Sequence, residues 1–422
     1  MTLGLLPLEV MPLDSDLIYD QFVAWFAERS GQVMRKQLYF LTTAAFLVAA
    51  LNFGSCQTAP TQNAATAATV EREAAGSQPD DPGPLATDLS PALKRKDILR
   101  AMKKVADWQL KASEGRYNTQ WTYAALCDGL LAASRVTGDR KYHDRVLEVA
   151  KQNGWTLGPR FGHADDEAIG FTYLTFYAET HAPEMLAPTK EGLDKLLGRP
   201  DDPQNNLWWW CDALYMAPPV LAQLSVVTGD RRYLDFMDRQ WSLTAKTLYD
   251  PSEHLFFRDN HYLTMREANG KKVFWSRGDG WVLAGLALVL DRMPENYANR
   301  ASYVTEYREI AERIAGLQPK DGLWRASLLD PDAYPAPEVS GTGFYTFAIA
   351  WGIHHHMLDR KKYLPVVAKA WQGMLQHVYA DGRLGSIQPI GAEPGKYKPS
   401  SSYVYGVGAF LLAGSEIYDI SR

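Results

Sequence analysis

The sequence contains few cysteines, with only Cys56, Cys127 and Cys211 among 422 residues. Three cysteines exclude a disulfide framework, and their spacing does not match a zinc site. Basic residues are not in excess either, because the formal net charge is -5 and the pI is about 6.0. The chain therefore lacks the electrostatic signature of a protein that binds nucleic acid.

Strand patterns and several catalytic motifs are also missing. No series of alternating segments predicts a sheet, no glycine-rich phosphate loop precedes Lys-Ser/Thr, and no GxSxG motif surrounds a serine. Aromatic residues, in contrast, are abundant and include 13 Trp. Because Trp is costly to leave in water, this excess predicts a deep core, a ring-stacking surface, or both.

The longest N-terminal apolar run, Leu38 to Leu51, is shorter than the roughly 20 residues that span a membrane. It follows Met34-Arg35-Lys36 and precedes Phe53-Gly54-Ser55-Cys56, which is the order of a bacterial lipoprotein signal. We therefore expect residues 34–55 to be a signal peptide and Cys56 to be lipidated. An N-terminal anchor helix is the alternative.

The lipoprotein interpretation sets the remaining boundaries. Residues 1–33 are then a spurious upstream extension, since an export signal stands at the true N-terminus. Residues 56–90 have few large apolar side chains and predict a flexible tether, and residues 91–422 form the catalytic domain. The expected product is an exported bacterial lipoprotein, facing the periplasm or at the cell surface, that contacts the membrane only through its lipid. The sequence does not determine its oligomeric state.

Helical patterns fill the domain. Segments such as Val282–Leu290, Phe344–Trp351 and Val404–Ala413 are apolar nearly all round and predict buried helices. Amphipathic segments such as Ser302–Leu317 lie between them. A turn motif, Val-Thr-Gly-Asp-Arg, occurs at residues 136–140 and again at residues 227–231. This repeat predicts an all-α (α/α)6 toroid, and an open solenoid is the alternative.

Each of six predicted inner helices follows a loop rich in Trp, carboxylate, Arg or Gly. The loops cover residues 118–121, 163–170, 208–212, 275–281, 338–343 and 400–406. If the inner helices are parallel, all six loops open at one end of the toroid. We therefore predict a single site built from pooled loop residues.

Asp212 is the first candidate for chemistry, because it follows three consecutive Trp residues at the start of an inner helix. A carboxyl group desolvated by indole rings has a raised pKa and can donate a proton near neutrality. Capping of the helix amides is the alternative role. Asp165, Asp166 and Glu167 supply further acids after His163, either as site residues or as a solvated cap.

Trp275, Arg277 and Trp281 form a second candidate group, in which rings stack on a ligand and the guanidinium holds an anion. Trp281 is alternatively the first core residue of its helix. Trp324 and Arg325 repeat the Trp–Arg pairing, and Ser340 and Thr342 are placed to bind a carboxylate at a helix N-terminus. The triplet at residues 354–356 predicts no metal site, since consecutive helical residues point in different directions.

Four motifs together resemble the unsaturated uronyl hydrolases of glycoside hydrolase families 88 and 105. They are WWWCDALYMAPP, FWSRGDGW, DGLWRASLLDP and PEVSGTGFY, and the similarity spans about residues 95–420. The resemblance implies an (α/α)6 toroid without a cofactor or metal. It implies hydration of the C4=C5 double bond of a 4,5-unsaturated uronate, after which the hemiketal opens and expels the rest of the oligosaccharide.

The resemblance also implies residue roles. Asp212 corresponds to the general acid/base, and Asp166 in preference to Asp165 corresponds to the second essential carboxylate. The implied substrate contacts are His163, Trp210, His261, Trp275, Arg277, Trp281, Trp324, Arg325, Ser340 and Thr342. Asp279 departs from relatives that have Asn, and we expect it to add a negative charge beside the next sugar.

The architecture favours family 105 over family 88, and hence a Δ-uronate linked to rhamnose in rhamnogalacturonan or ulvan fragments. Glycosaminoglycan fragments share the same end group. Two other functions stay open. One is a conventional inverting glycosidase, with carboxylates about 6.5–9.5 Å apart, or a lyase on the same toroid. The other is a non-catalytic glycan-binding lipoprotein.

Overall fold

The structure, a computed structural model, describes residues 73–202 and 204–421. The predicted upstream extension, the signal peptide, Cys56 and the first half of the tether lie outside these residues. None of the described helices is both long enough and apolar enough to cross a membrane.

The inner helices are buried on nearly every side. In the fifth of them every residue from Val339 to Ile353 is buried. The third is interrupted after Met216, where Pro218 has no amide hydrogen to donate to the helix. The inner helices are α2 (Trp121–Thr137), α5 (Ile169–Thr180), α7 (Ala213–Met216) with α8 (Pro218–Thr228), α10 (Ser276–Arg292), α12 (Val339–His354) and α14 (Val404–Ile420).

The outer helices alternate with the inner ones along the chain and bury one face only. In the outer helix that begins at Arg300, for example, Tyr303, Tyr307, Ile310 and Ile314 are buried at helical spacing. The outer helices are α1 (Arg95–Ala112), α3 (Arg140–Gln152), α6 (Pro183–Leu197), α9 (Arg232–Leu248), α11 (Arg300–Gly316) and α13 (Arg360–Leu375). A short helix α4 (Ala164–Glu167) precedes α5.

The repeated Val-Thr-Gly-Asp-Arg motif joins an inner helix to the outer helix that follows it. Gly138 and Gly229 end α2 and α8 with φ values of 67° and 71°, a left-handed conformation that glycine adopts at low cost. Asp139 then accepts a hydrogen bond from the Lys141 amide at the start of α3.

The inner helices close into a ring. Contacts run from α2 to α5, α8, α10, α12 and α14, and α14 packs against α2 again. The C-terminal halves of α2, α5, α10, α12 and α14 line one cavity of about 630 Å³, with Arg135, Arg292 and Asp419 among its residues. Since the inner helices end together, they also begin together. The predicted (α/α)6 toroid is confirmed, and its six loops share one end, here called the mouth.

Short strands attach peripheral segments to the toroid. Strand β1 (Gly76–Ser77) pairs antiparallel with β4 (Ser402–Tyr403), and β2 (Tyr249–Asp250) pairs with β3 (Leu255–Phe256). The Ala86 amide also donates to the Val378 carbonyl oxygen at 2.8 Å. The folded unit therefore begins before the predicted boundary at residue 91, because backbone pairing holds the end of the expected tether.

Candidate active site

Asp212 lies at the mouth, directly before α7, with a side chain that is 13% exposed. It occupies the N-cap position, yet its carboxylate makes no hydrogen bond to the α7 amides. Its backbone is held from the other side, because the Cys211 amide donates to the Arg258 carbonyl oxygen at 2.8 Å. The carboxyl group is therefore fixed in place without being used as a helix cap.

Burial raises the pKa of Asp212 above its ordinary value, and the positive charges of Arg258 and Arg277 oppose that rise. The nearest cation is Arg258, whose Nε lies 3.6 Å from Asp212 Oδ2. Arg258 is also tied to Asp259, with its Nη1 2.6 Å from Oδ2. Asp212 thus combines a raised pKa with an adjacent cation that can stabilise its ionised form.

Asp166 is buried and fully engaged with Arg160. The Arg160 Nε and Nη2 atoms donate to its two carboxylate oxygens at 2.8 and 3.0 Å, and the Arg160 amide donates at 2.7 Å. Gly158 permits this approach, because a Cβ there would lie 2.5 Å from Asp166 Cγ. Asp165 is more open, with a side chain 19% exposed and Oδ2 3.7 Å from both Arg160 Nη2 and His163 Nδ1.

His163 joins the acidic loop to the tryptophan loop. Its ring lies 4.9 Å from the Trp210 ring, centroid to centroid, and α4 packs against α7. Burial and the charge of Arg160 lower the pKa of His163, so its ring is neutral at pH 7. The structure therefore brings together four of the predicted residues, namely Asp165, His163, Trp210 and Asp212.

Trp275, Arg277 and Trp281 lie beneath the surface of the mouth. Arg277 is fully buried and donates to the carbonyl oxygens of Gln388 and Pro389 at 2.7 and 2.9 Å. The Trp275 indole donates to Gln388 Oε1 at 2.8 Å. Trp281 is also fully buried, and its ring lies 4.0 Å from that of Phe344. Direct ligand contact by the Trp275–Arg277 pair stays a prediction that requires Gln388 and Pro389 to move.

Ser340 binds a carboxylate, but it is the chain's own Glu338, and the Thr342 hydroxyl donates to the backbone of the same residue. Glu338 caps α12 and accepts hydrogen bonds from the amides of Ser340 and Gly341 and from Ser340 Oγ. Its Oε1 also accepts from the Gln388 amide at 3.0 Å, and Thr342 Oγ1 donates to the Glu338 carbonyl oxygen. The predicted pocket for a substrate carboxylate is therefore filled in this structure, because the N-cap side chain satisfies the helix amides first.

The other predicted contacts are Trp324, Arg325 and His261. The Trp324 indole is buried and donates to the Ile314 carbonyl oxygen at 3.0 Å, which places it in the core. Arg325 pairs with Asp321 at 2.7 Å. His261 is exposed on a short 3-10 helix, Asn260–Tyr262.

The model of the family described as Glycosyl Hydrolase Family 88 matches residues 96–421, which is most of the described chain. The chain belongs to glycosyl hydrolase family 88. It is therefore an enzyme, and its resemblance to the unsaturated uronyl hydrolases is confirmed. The matching model is that of family 88, so it lends no support to the preference for family 105.

Known proteins are similar to this family 88 enzyme over more than three quarters of its length. An unsaturated 3S-rhamnoglycuronyl hydrolase from Formosa agariphila is 42% identical over 349 residues, which cover 78% of this chain and 93% of the relative. A family 88 glycosyl hydrolase from Bacteroides vulgatus has a TM-score of 0.74 at 30% identity, covering 77% and 99% of the two chains. A structure described as a polysaccharide lyase has a TM-score of 0.73 at 32% identity, covering 77% and 97%.

Asp279 does not bring the exposed negative charge expected of it in this family 88 enzyme. Its side chain is fully buried, and Oδ1 accepts a hydrogen bond from the Phe256 amide at 2.7 Å. Burial, reinforced by the nearby charge of Asp212, raises the pKa of Asp279 well above its ordinary value. Burial therefore disfavours the charged form of Asp279.

Two residues at the mouth of the family 88 enzyme were missed by the sequence reasoning. Arg258 is the cation closest to Asp212, and Trp209 is half exposed with the Arg258 guanidinium 5.4 Å from its ring centroid. Arg258 stands between Phe257 and Asp259 in a segment without helical or glycine signals. Arg258 lies next to Asp212 because residues 258–259 pair with residues 210–211, and the sequence does not show this pairing.

The histidine triplet lies at the opposite end of the toroid from the mouth. His354 Nδ1 contacts Glu416 at 3.0 Å, whereas the His355 ring stacks on Trp351. Among the described residues, His354, Glu416 and Asp419 are the one group whose ligand atoms are close enough to hold a metal, within 4.8 Å of one another. Arg135 already pairs with Asp419 at 2.6 Å, so these charges are satisfied within the protein.

Proposed function

We propose that this family 88 enzyme removes the 4,5-unsaturated uronate from the non-reducing end of lyase-generated oligosaccharides by hydrating the C4=C5 double bond. The observation that carries the proposal is Asp212, a mostly buried carboxyl group with a raised pKa that is fixed at the mouth of the toroid. The name and the 42% identity of the Formosa agariphila relative support the same chemistry.

The reaction needs an acid that is protonated near neutral pH. Asp212 gives its proton to C4 while the electrons of the double bond leave an oxocarbenium ion at C5. Arg258, 3.6 Å from the carboxylate, stabilises the anion that forms. General acid catalysis of this kind contributes about 100- to 10,000-fold in rate.

Water then adds at C5 and loses a proton to a carboxylate. The product is a hemiketal, whose C5–O5 bond breaks to give a C5 ketone. The hemiacetal at C1 next collapses to an aldehyde and expels the remaining sugar chain with its glycosidic oxygen. Asp212 is suited to take up the water's proton because it is ionised after the first step.

Asp165 is the better candidate for positioning this water than Asp166. The Asp166 oxygens accept three hydrogen bonds from Arg160, whereas Asp165 is more exposed and lies beside the neutral His163. Asp165→Asn is expected to lower kcat by at least about 100-fold with an unchanged unfolding midpoint. Asp166→Asn should lower the unfolding midpoint as well, since it breaks a bidentate pair. A loss of kcat with an unchanged unfolding midpoint in Asp166→Asn, and no such loss of kcat in Asp165→Asn, would assign the role to Asp166.

The next sugar is proposed to be rhamnose, as the name of the Formosa agariphila relative suggests. The test is a panel of lyase products in which the unsaturated uronate is followed by rhamnose or by an amino sugar. Ultraviolet absorbance of the enoate should fall fastest with the rhamnose-linked products. Equal or faster turnover of the amino sugar products would contradict this assignment.

A polysaccharide lyase is the second candidate, because one structural relative at 32% identity is described as such. A lyase creates the enoate instead of consuming it. Incubation with the intact polysaccharide distinguishes the two, since a lyase increases the absorbance and the proposed hydrolase leaves it unchanged. Incubation with lyase products gives the opposite result, because the proposed hydrolase then lowers the absorbance and a lyase leaves it unchanged.

We also propose that Cys56 carries a lipid, which places the enzyme in the periplasm or at the cell surface. The support is the order of basic, apolar and small residues before this cysteine. Cys56→Ala should release the protein from the membrane fraction of the expressing cell. Unchanged retention in that fraction would contradict lipidation.

A further inference from the structure

A groove of about 510 Å³ opens beside the candidate active site. We call it the side groove, and it is lined by Arg160–His163, Arg199, Gln204–Leu207, Trp209–Trp210, Thr247 and Asn260. It shares His163 and Trp210 with the mouth, and Asp212 follows Trp210 by two residues. A ligand that extends beyond Asp212 therefore lies next to this groove.

The side groove carries exposed aromatic rings. Among the described residues, four large hydrophobic side chains are exposed, and the two aromatic ones, Phe161 at 64% and Trp209 at 50%, both line this groove. Trp209 is held in place by the Trp210 ring at 4.8 Å and by the Arg258 guanidinium. Exposure of an aromatic ring to water is unfavourable. Exposed rings are therefore typical of surfaces that bind ligands, including the apolar faces of sugars.

The side groove also has an unusual charge for this chain. Its lining contains two arginines and a histidine but no Asp or Glu, although the whole chain has a net charge of -5. Arg160 is committed to Asp166, whereas the Arg199 amide donates to the Leu196 carbonyl oxygen at 2.9 Å and its guanidinium charge acts on nearby Asp202. Amide side chains, which bind sugar hydroxyls well, line the rest: Gln204, Asn205, Asn206 and Asn260.

We propose that the side groove binds the sugars that follow the unsaturated uronate and selects an anionic unit among them. The anion is a sulfate ester or a second uronate carboxylate, held by Arg199, with the sugar ring stacked on Trp209. This inference rests on the proposed function for the placement of the unsaturated end at Asp212. It assigns the choice of polysaccharide to residues that are separate from the catalytic acids.

The test uses three lyase products: a sulfated tetrasaccharide with an unsaturated uronate end, the same compound after desulfation, and the corresponding disaccharide. Trp209→Ala should raise KM for the sulfated tetrasaccharide by about tenfold, equivalent to about 1.4 kcal/mol, with kcat within twofold. For the disaccharide, the KM of Trp209→Ala should rise by a smaller factor. Arg199→Gln should raise KM by a similar factor for the sulfated compound.

The desulfated tetrasaccharide identifies the anion. If Arg199→Gln no longer affects its KM, the sulfate is the recognised group, and if the effect persists, the internal carboxylate is. Val226→Ala and Arg231→Gln are matched controls, because both residues are exposed and lie outside the groove. They should leave all three KM values unchanged.

Unchanged KM values in both groove variants, with turnover intact, would overturn the proposal. Failure of the proposed function gives a different result, namely no loss of enoate absorbance with any product. In that case calorimetry with the sulfated tetrasaccharide still decides the matter. Binding that weakens about tenfold in Trp209→Ala supports the groove, and equal binding by the wild type and this variant refutes it.

Discussion

Removal of the positive charge beside Asp212 should move the alkaline limit of activity upward. Arg258 Nε lies 3.6 Å from Asp212 Oδ2, and two unit charges at that distance interact by about 4.6 kcal/mol at an effective dielectric constant of about 20. Water screens part of this energy, because the two side chains are 20% and 13% exposed. Even a third of it exceeds the roughly 1.4 kcal/mol that corresponds to one pH unit.

The sign follows from the role of Asp212 as a proton donor. Arg258 favours the ionised carboxylate, so Arg258→Gln raises the pKa of Asp212 further and keeps it protonated to higher pH. The pH at which kcat/KM falls to half its maximum should therefore rise by about one unit or more. Loss of anion stabilisation should at the same time lower the maximal rate.

The assay is the loss of enoate absorbance, measured from pH 5 to 10 for the wild type, Arg258→Gln and Arg258→Lys. The lysine variant keeps the charge, so its alkaline limit should stay close to that of the wild type. An alkaline limit that is unchanged or lowered in Arg258→Gln would refute the assignment of Asp212 as the acid.

Three further predictions concern buried carboxyl groups. Asp279→Asn should keep kcat/KM within about threefold in the absorbance assay, because burial already disfavours the charged form of this carboxyl group, and a loss beyond about 30-fold would show that its charge matters. Glu338→Ala should lower the free energy of unfolding by about 2–4 kcal/mol in urea titrations, since four donors lose their acceptor, and a loss under about 1 kcal/mol would contradict that role. Burial raises the pKa of Glu167 to about 8, above its unfolded value near 4.5, so its contribution to stability is full below pH 4.5 and is lost as the pH rises towards 8. Glu167→Gln should therefore flatten the decline in unfolding free energy between pH 5 and 8, and parallel pH curves for the two proteins would be the contrary result.

The fold was largely predictable because its signals are local. Apolar faces on every side identified helices such as α12, and the glycine caps at Gly138 and Gly229 marked where helices end. The start of the folded unit was misjudged, since the pairing of Gly76 with Tyr403 depends on residues more than 300 positions apart. The composition of the segment around Gly76 predicts only a flexible tether.

The candidate site was predictable in its composition but not in its partners. Trp275 and Arg277 stood out as a Trp–Arg pair, yet their hydrogen bonds go to Gln388, more than 110 positions away. The hydroxyls of Ser340 and Thr342 looked available because the sequence does not show that Glu338 turns back onto them. Long-range contacts of this kind decide which polar groups remain for a ligand.

The most direct test of the central claim follows enoate absorbance and release of the saturated sugar chain together in one reaction with a rhamnose-linked lyase product. The expected result is that the wild type loses absorbance and releases the chain at the same rate, and that Asp212→Asn does neither. Release of the chain ahead of the absorbance change, or full activity in Asp212→Asn, would contradict it.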